Sequence, residues 1–302
     1  MGRTEQFTDG THFEAAMGRT EQFTDGTHFE AAMGRTEQFT DASHFEAAMG
    51  HTERFTGRAA AYQQYRLSYP ASEVMRILRE WIGLTSGDTV ADIGAGTGML
   101  TELFLDNGNP TIAIEPNAEM RAACADQCGR HPNLTLIDAT AEATTLPDHS
   151  VDLITAGRAF HWFDHARALP EFQRILKPGH WVAMVSIGRS KNDSPLSQAF
   201  ESLLTTHGTD YRYVRDGYRV HDRLETLFPG GEVRQTAIAG EQQLTLEALT
   251  GQAMSYSMAP LPGDPRHAAF IDALEEFFHR FCDNGLLTQP TTCWISCCRF
   301  AE

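Results

Sequence analysis

The chain has 302 residues, and its 40 acidic residues against 24 lysines and arginines give a formal charge of −16. An acidic chain without a Lys/Arg run argues against nucleic acid or an anionic membrane as a partner. No apolar run approaches the ~18–20 residues of a spanning helix, and the N-terminus lacks the apolar core of a secretory signal. The expectation is therefore a cytoplasmic protein acting on a small molecule. The six cysteines include no Cys-x2-Cys pair, so reduced, mostly buried thiols are expected and no metal site.

Residues 1–48 are one 16-residue unit written three times: MGRTEQFTDGTHFEAA at Met1–Ala16, unchanged at Met17–Ala32, and changed only at Ala42 and Ser43 in the third copy. A fourth copy opens at Met49 and diverges. The three copies supply −6 of the charge. Their low apolar content and terminal position predict a loosely ordered extension, residues 1–48, ahead of one α/β domain, residues 49–302. The competing reading is a tandem arm that recruits a partner, which would make the chain a binding protein rather than an enzyme.

Val74, Ile77, Leu78, Trp81 and Ile82 follow helical spacing, and Gly83 closes that helix. A strand at Thr89–Ile93 runs into Gly94-Ala95-Gly96-Thr97-Gly98, and helical spacing resumes from Met99. A second strand, Thr111–Ile114, ends at Glu115-Pro116-Asn117, where Asn117 caps a helix holding Met120 and Cys124. Strands at Leu134–Ile137, Val151–Thr155 and Trp181–Ile187 continue the alternation, with a helix through Phe172 and a Lys177-Pro178-Gly179 turn before the last. Five strands alternating with helices predict a doubly wound, Rossmann-like parallel sheet with ligands at the carboxyl ends of its strands.

The rhythm changes after Ser186. Residues 189–230 read as a lid or substrate insert, with a helix at Ser194–His207 and an aromatic, Arg-rich stretch from Tyr211 to Arg223. A strand at Glu232–Ala239, helices at Leu246–Ser255 and Pro265–Asn284, and a strand at Thr291–Phe300 follow.

The turn from Asp92 to Gly98 joins a first strand to a first helix, where glycines admit close approach of a ligand and the helix start offers free N–H donors. A dinucleotide fingerprint wants Gly or Ala where Met99 stands, which disfavours the alternative of a nicotinamide-dependent oxidoreductase. Glu115, at the end of the second strand, is placed to accept hydrogen bonds from the ribose hydroxyls of an adenosyl ligand.

The DIGAGTG turn, IEPNAEM, TAEATTLPDHSVDLI and LKPG resemble class I S-adenosylmethionine-dependent methyltransferases of the type 11 domain. FTGRAAAYQQYRLSYP, RAFHWF and SYSMAPLPGDPR resemble a subgroup near the trans-aconitate methyltransferases. The resemblance implies a seven-stranded, mostly parallel sheet with the last strand antiparallel, S-adenosylmethionine as cofactor, and in-line methyl transfer to a small-molecule acceptor, a carboxylate among the candidates. It places Asp92, Gly94, Ala95 and Gly96 around the methionine moiety, Glu115 and Pro116 at the ribose, and Thr140, Ala141 and Glu142 at the adenine. Arg158 and Phe160 also join the cofactor wall, with Arg158 where Gln is common and Thr140 where Asp is common. Tyr62, Tyr65, Arg66, Tyr69, His161 and Trp162 are the candidate substrate pocket. His161 is the candidate general base, although transfer to a carboxylate needs none. Phe163 is read as core packing.

Overall fold

The computed structural model describes residues 53–301. The three repeats, and with them the expectation of a loosely ordered extension, lie outside the described residues. Seven strands form one sheet: β1 Val90–Ile93, β2 Thr111–Ile114, β3 Leu134–Ile137, β4 Val151–Gly157, β5 Leu176–Arg189, β6 Glu232–Leu244 and β7 Leu287–Arg299, in the order β3-β2-β1-β4-β5-β7-β6. The first five are parallel, and β7 runs antiparallel to both β5 and β6. This is the expected sheet, with its one antiparallel strand placed between β5 and β6.

Ten helices of α type accompany the sheet among the described residues: α1 Ala59–Tyr65, α2 Ala71–Ile82, α3 Met99–Asp106, α4 Ala118–Cys128, α5 His165–Ile175, α6 Pro195–His207, α7 Tyr211–Gly217, α8 Leu224–Leu227, α9 Leu246–Met254 and α10 His267–Phe281. Alternate residues of each strand point to opposite faces. Val90, Leu153 and Val185 pack against Val74 and Leu78 of α2 and Leu100 and Phe104 of α3. Their neighbours Ala91, Ile154 and Met184 pack against Phe172 and Ile175 of α5 and Leu224 of α8. β1 is buried along its whole length, which is why Val90-Ala91-Asp92-Ile93 reads as a nearly unbroken apolar run rather than an alternating one. Asn117 caps α4 as its sequence suggests, its Oδ1 accepting from the Met120 amide at 3.0 Å.

Three strands are longer than their composition implies. β5 begins at Leu176 and carries Lys177-Pro178-Gly179 within it, with a register shift opposite Val151 and Leu153. β6 and β7 stay paired from Glu232 opposite Arg299 to Leu244 opposite Leu287. Backbone pairing along this ladder holds the polar run Gly240-Glu241-Gln242-Gln243 in strand form.

A third core contains little sheet. Phe200 and Leu204 of α6, Val214 of α7, Leu249 of α9 and Phe270, Leu274 and Phe277 of α10 pack together, with Leu244 and Leu287 at the sheet end. The carboxyl ends of β5 and β6 and the start of β7 all lie at one edge, so the two insertions that build this cap, 190–228 and 245–286, rise from the edge where the parallel strands end. Arg58, just ahead of α1, donates to the Met254 and Ala259 carbonyls at 3.0 and 2.7 Å, and the Asn117 amide donates to Thr56 Oγ1 at 3.1 Å. The first described residues therefore tie the cap to the sheet domain.

Candidate functional site

The sheet order reverses between β1 and β4, and a crevice opens beyond their carboxyl ends, as doubly wound sheets dictate. The β1 turn lines it. Gly94 has φ +68, and a Cβ there would stand 2.6 Å from that of Ala159. Gly96 has φ +60 and faces open space, with nothing within 4 Å of where its Cβ would be. A side chain at Gly94 is excluded by the neighbouring turn; one at Gly96 would intrude on the crevice.

Glu115 is 7% exposed. Its two carboxylate oxygens accept from the Gly96 and Asn117 amides, both at 2.8 Å, and lone pairs remain for further donors. Burial pushes its carboxyl above the ordinary value against the pull of those amides. Asp92 is 1% exposed; Thr101 donates to one oxygen at 2.6 Å, and the other has no partner among the described residues. Burial raises this carboxyl to about 7.

The structure brings Gly94, Gly96, Glu115, Pro116, Thr140, Ala141, Glu142, Arg158 and Trp162 to one cavity, with Tyr62 over it. Glu142 is fixed by the Asp164 amide at 3.0 Å. A smaller adjoining cavity is lined by Asp92, Ala95, Tyr69 and Met99, and Tyr62 and Arg158 border both.

Four expected residues stand elsewhere. Phe160 is 1% exposed and packs in the sheet core with Phe172, while Phe163 packs against that core as expected and also lines the cavity beside Gly94. The 3₁₀ turn at Phe160–Trp162 turns Phe160 inward and carries Trp162 and Phe163 to the cavity. The His161 ring stacks on Tyr218, with centroids 3.9 Å apart at 28°, away from the cavity wall. Tyr65 leaves the site to donate to Glu247 at 3.0 Å. Arg66 stands behind Tyr62. Phe55, Met120, Gly157 and Ala159 line the cavity without having been singled out. Phe55 belongs to the FTGRAAAYQQYRLSYP segment, and its contact with Trp162, edge to face at 6.0 Å, joins residues far apart in sequence.

The profile described as Methyltransferase domain matches residues 91–184. An uncharacterized methyltransferase of Mycobacterium bovis is 32% identical over 193 residues, 63% of this chain and 70% of that protein. The chain belongs to the class I S-adenosylmethionine-dependent methyltransferases. A ubiquinone/menaquinone biosynthesis C-methyltransferase of Hahella chejuensis is 29% identical over 48% of this chain and 65% of its own length. A type II methyltransferase structure from Anaeromyxobacter dehalogenans shares the fold, with TM-score 0.57 and 24% identity over 78% of this chain and 98% of that one. The cofactor of this methyltransferase is S-adenosylmethionine, and the open approach over Gly96, the acceptor-only Glu115 and the orphaned oxygen of Asp92 fit such a ligand.

The far side of the methyltransferase's cavity is cationic and aromatic. The Arg66 guanidinium lies 4.4 Å from the Tyr62 ring centroid and 4.9 Å from that of Tyr256. The Arg158 guanidinium lies 5.4 Å from Tyr62 and 5.7 Å from Tyr69. Tyr62 thus stands between two guanidiniums. Burial alone would raise its phenol, yet Arg158 and Arg66 bring it below its ordinary value. Arg158, 9% exposed and at φ +59, donates to the Ile187 carbonyl at 3.4 Å and approaches Met99 Sδ at 3.6 Å. Arg66 donates to the Ser255 carbonyl at 2.9 Å. The Nε atoms of both are buried without a partner, and no carboxylate of the described residues pairs with either.

Among the described residues no cluster of His, Cys, Asp and Glu could hold a metal, and no helix is long and apolar enough to cross a membrane.

Proposed function

We propose that residues 49–302 transfer the methyl group of S-adenosylmethionine to a carboxylate oxygen of a small-molecule acceptor. One observation carries the acceptor class. Arg158 is a buried cation without an acidic partner at the junction of the two cavities, and a buried charge left unpaired is costly. An acidic acceptor supplies the missing charge. The resemblance of FTGRAAAYQQYRLSYP and RAFHWF to the trans-aconitate subgroup supports the same class.

On this reading Glu115 accepts from the ribose hydroxyls, with Pro116 beside it. Thr140, Ala141 and Glu142 flank the adenine, while Gly94, Ala95, Gly96 and Asp92 receive the methionine portion, whose ammonium meets the free oxygen of Asp92. The cofactor supplies an electrophilic methyl group on a sulfonium. Arg158 orients the acceptor, and Phe55, Tyr62 and Trp162 exclude water from the crevice. A carboxylate arrives deprotonated, so no side chain need remove a proton, consistent with His161 being stacked on Tyr218.

Nucleic acid is not proposed as a substrate; the net charge of −16 opposes it. The test is incubation of the chain with methyl-labelled donor and a metabolite extract, followed by mild alkali. Label released as methanol is expected, because methyl esters hydrolyse. Label retained through alkali would instead favour carbon methylation, the activity in the name of the Hahella chejuensis relative.

A further inference from the structure

Arg66 and Arg158 create a problem of charge that the cofactor makes worse. S-adenosylmethionine carries one positive charge more than S-adenosylhomocysteine, at the sulfur. The smaller cavity, which the reading above gives to the methionine portion, has Arg158 in its wall. Arg66 lies one ring behind, on the other side of Tyr62. Arg58 is also close enough to Arg66 that burial, Arg66 and Arg54 together lower it to about 10. The acids that face this region, Asp92 and Glu115, stand on the cofactor side and are engaged by Thr101 and by backbone amides. Positive charge on the acceptor side is unbalanced.

We propose that Arg158, with Arg66 adding its charge from behind Tyr62, forms an anion site belonging to the acceptor, and that filling it allows the chain to hold the cationic donor in preference to its neutral, demethylated product. The inference rests on an acidic acceptor but concerns equilibrium binding, not transfer. With the anion site empty, two guanidiniums repel a sulfonium and are indifferent to a thioether, so the product binds better. An anion seated against Arg158 in the cavity wall offsets that repulsion and adds an attraction for the sulfonium. At the effective dielectric of a buried site, one unit charge at such range alters affinity by about tenfold or more. By linkage the donor must tighten binding of the anion by the same factor. Methyl transfer discharges both partners together, the sulfonium to a thioether and the carboxylate to an ester, so the coupling disappears as the products form and they are released.

The geometry supports an anion rather than a neutral polar group. Arg158 lines both cavities and has an unpartnered Nε, while Arg66 lines neither and contributes charge through its place behind Tyr62. Tyr62, Tyr69 and Tyr256 frame the two guanidiniums with ring faces. Such faces accommodate the cations without neutralising them.

Calorimetry of the full chain tests this, titrating S-adenosylmethionine and S-adenosylhomocysteine separately, alone and with glutarate, benzoate or their neutral amides present. The expected result is that at least one of the two acids shifts the affinity ratio toward the donor by about tenfold, while the amides shift it by less than about twofold. Arg158→Gln should raise donor affinity in the absence of acid and remove the shift, and Arg158→Lys should retain it. Arg66→Gln, at a less buried position, should reduce the shift and serves as the readout if Arg158→Gln does not fold. The proposal is overturned if neither acid shifts the ratio, if acid and amide act alike, or if the shift survives both Gln variants. The alkali test is separate: retained label would refute carboxylate methylation and leave this binding result to be judged alone.

Discussion

Glu115 and Asp92 are two buried carboxylates with different neighbours, and their behaviour should diverge. Glu115 holds the Gly96 and Asn117 amides, so Glu115→Ala removes a charged acceptor and leaves two donors without their partner. Hydrogen bonds to charged groups contribute about 1.5–3 kcal/mol, and S-adenosylhomocysteine affinity measured by calorimetry should fall ten- to a hundredfold. For Asp92, burial raises the folded carboxyl from 3.8 to about 7. The folded state then holds a proton that the unfolded chain has released, so stability is greatest below about pH 4 for this group and declines as pH rises through about 7. Asp92→Asn keeps an oxygen for Thr101 and removes the titration. Its stability relative to the parent, followed by thermal melting, should rise between pH 5 and 8 by at most about 3 kcal/mol. A parallel pH dependence in both proteins would refute this. The sequence made these two residues legible because strand ends and glycine turns fix position along the chain. It did not reveal that Phe163 and not Phe160 lines the cavity, because a three-residue turn has no periodicity to say which side chain faces inward.

At the scale of elements, the five parallel strands could be read from apolar runs bounded by turns, and β5 to β7 were found at shorter lengths than they have. Composition marks where a strand could survive alone, whereas β6 and β7 hold polar residues in line through thirteen paired positions. The cap was legible only in its first half. Residues 245–286 read as two ordinary amphipathic helices, and nothing local says that Phe270 and Phe277 meet Phe200 rather than the sheet. Phe200 is fully buried, its ring centroid 5.0 Å from that of Phe277. Phe200→Ala should cost about 3–5 kcal/mol of cap stability. Because this core is separate from those flanking the sheet, hydrogen exchange should accelerate in α6, α9 and α10 while β1, β2 and β4 remain protected; uniform acceleration would show instead that cap and sheet unfold as one unit.

For the whole molecule, every cavity residue identified lies between Phe55 and Phe163, and the cap is built from 190–228 and 245–286. A chain beginning at Met49 should therefore bind S-adenosylhomocysteine within about twofold of the full chain and melt at the same temperature. A larger loss on removing the three repeats would assign them a part in the cofactor site. The sheet and the cap also differ in how they can change. The cavities lie at strand ends locked by backbone pairing, while the cap is built from two insertions packed on each other. Grafting 190–228 alone from a relative would pair a new half-cap with the resident α9 and α10. Replacing the cap intact requires both insertions to travel together, with the incoming segment presenting Arg58 the two carbonyls that Met254 and Ala259 now supply.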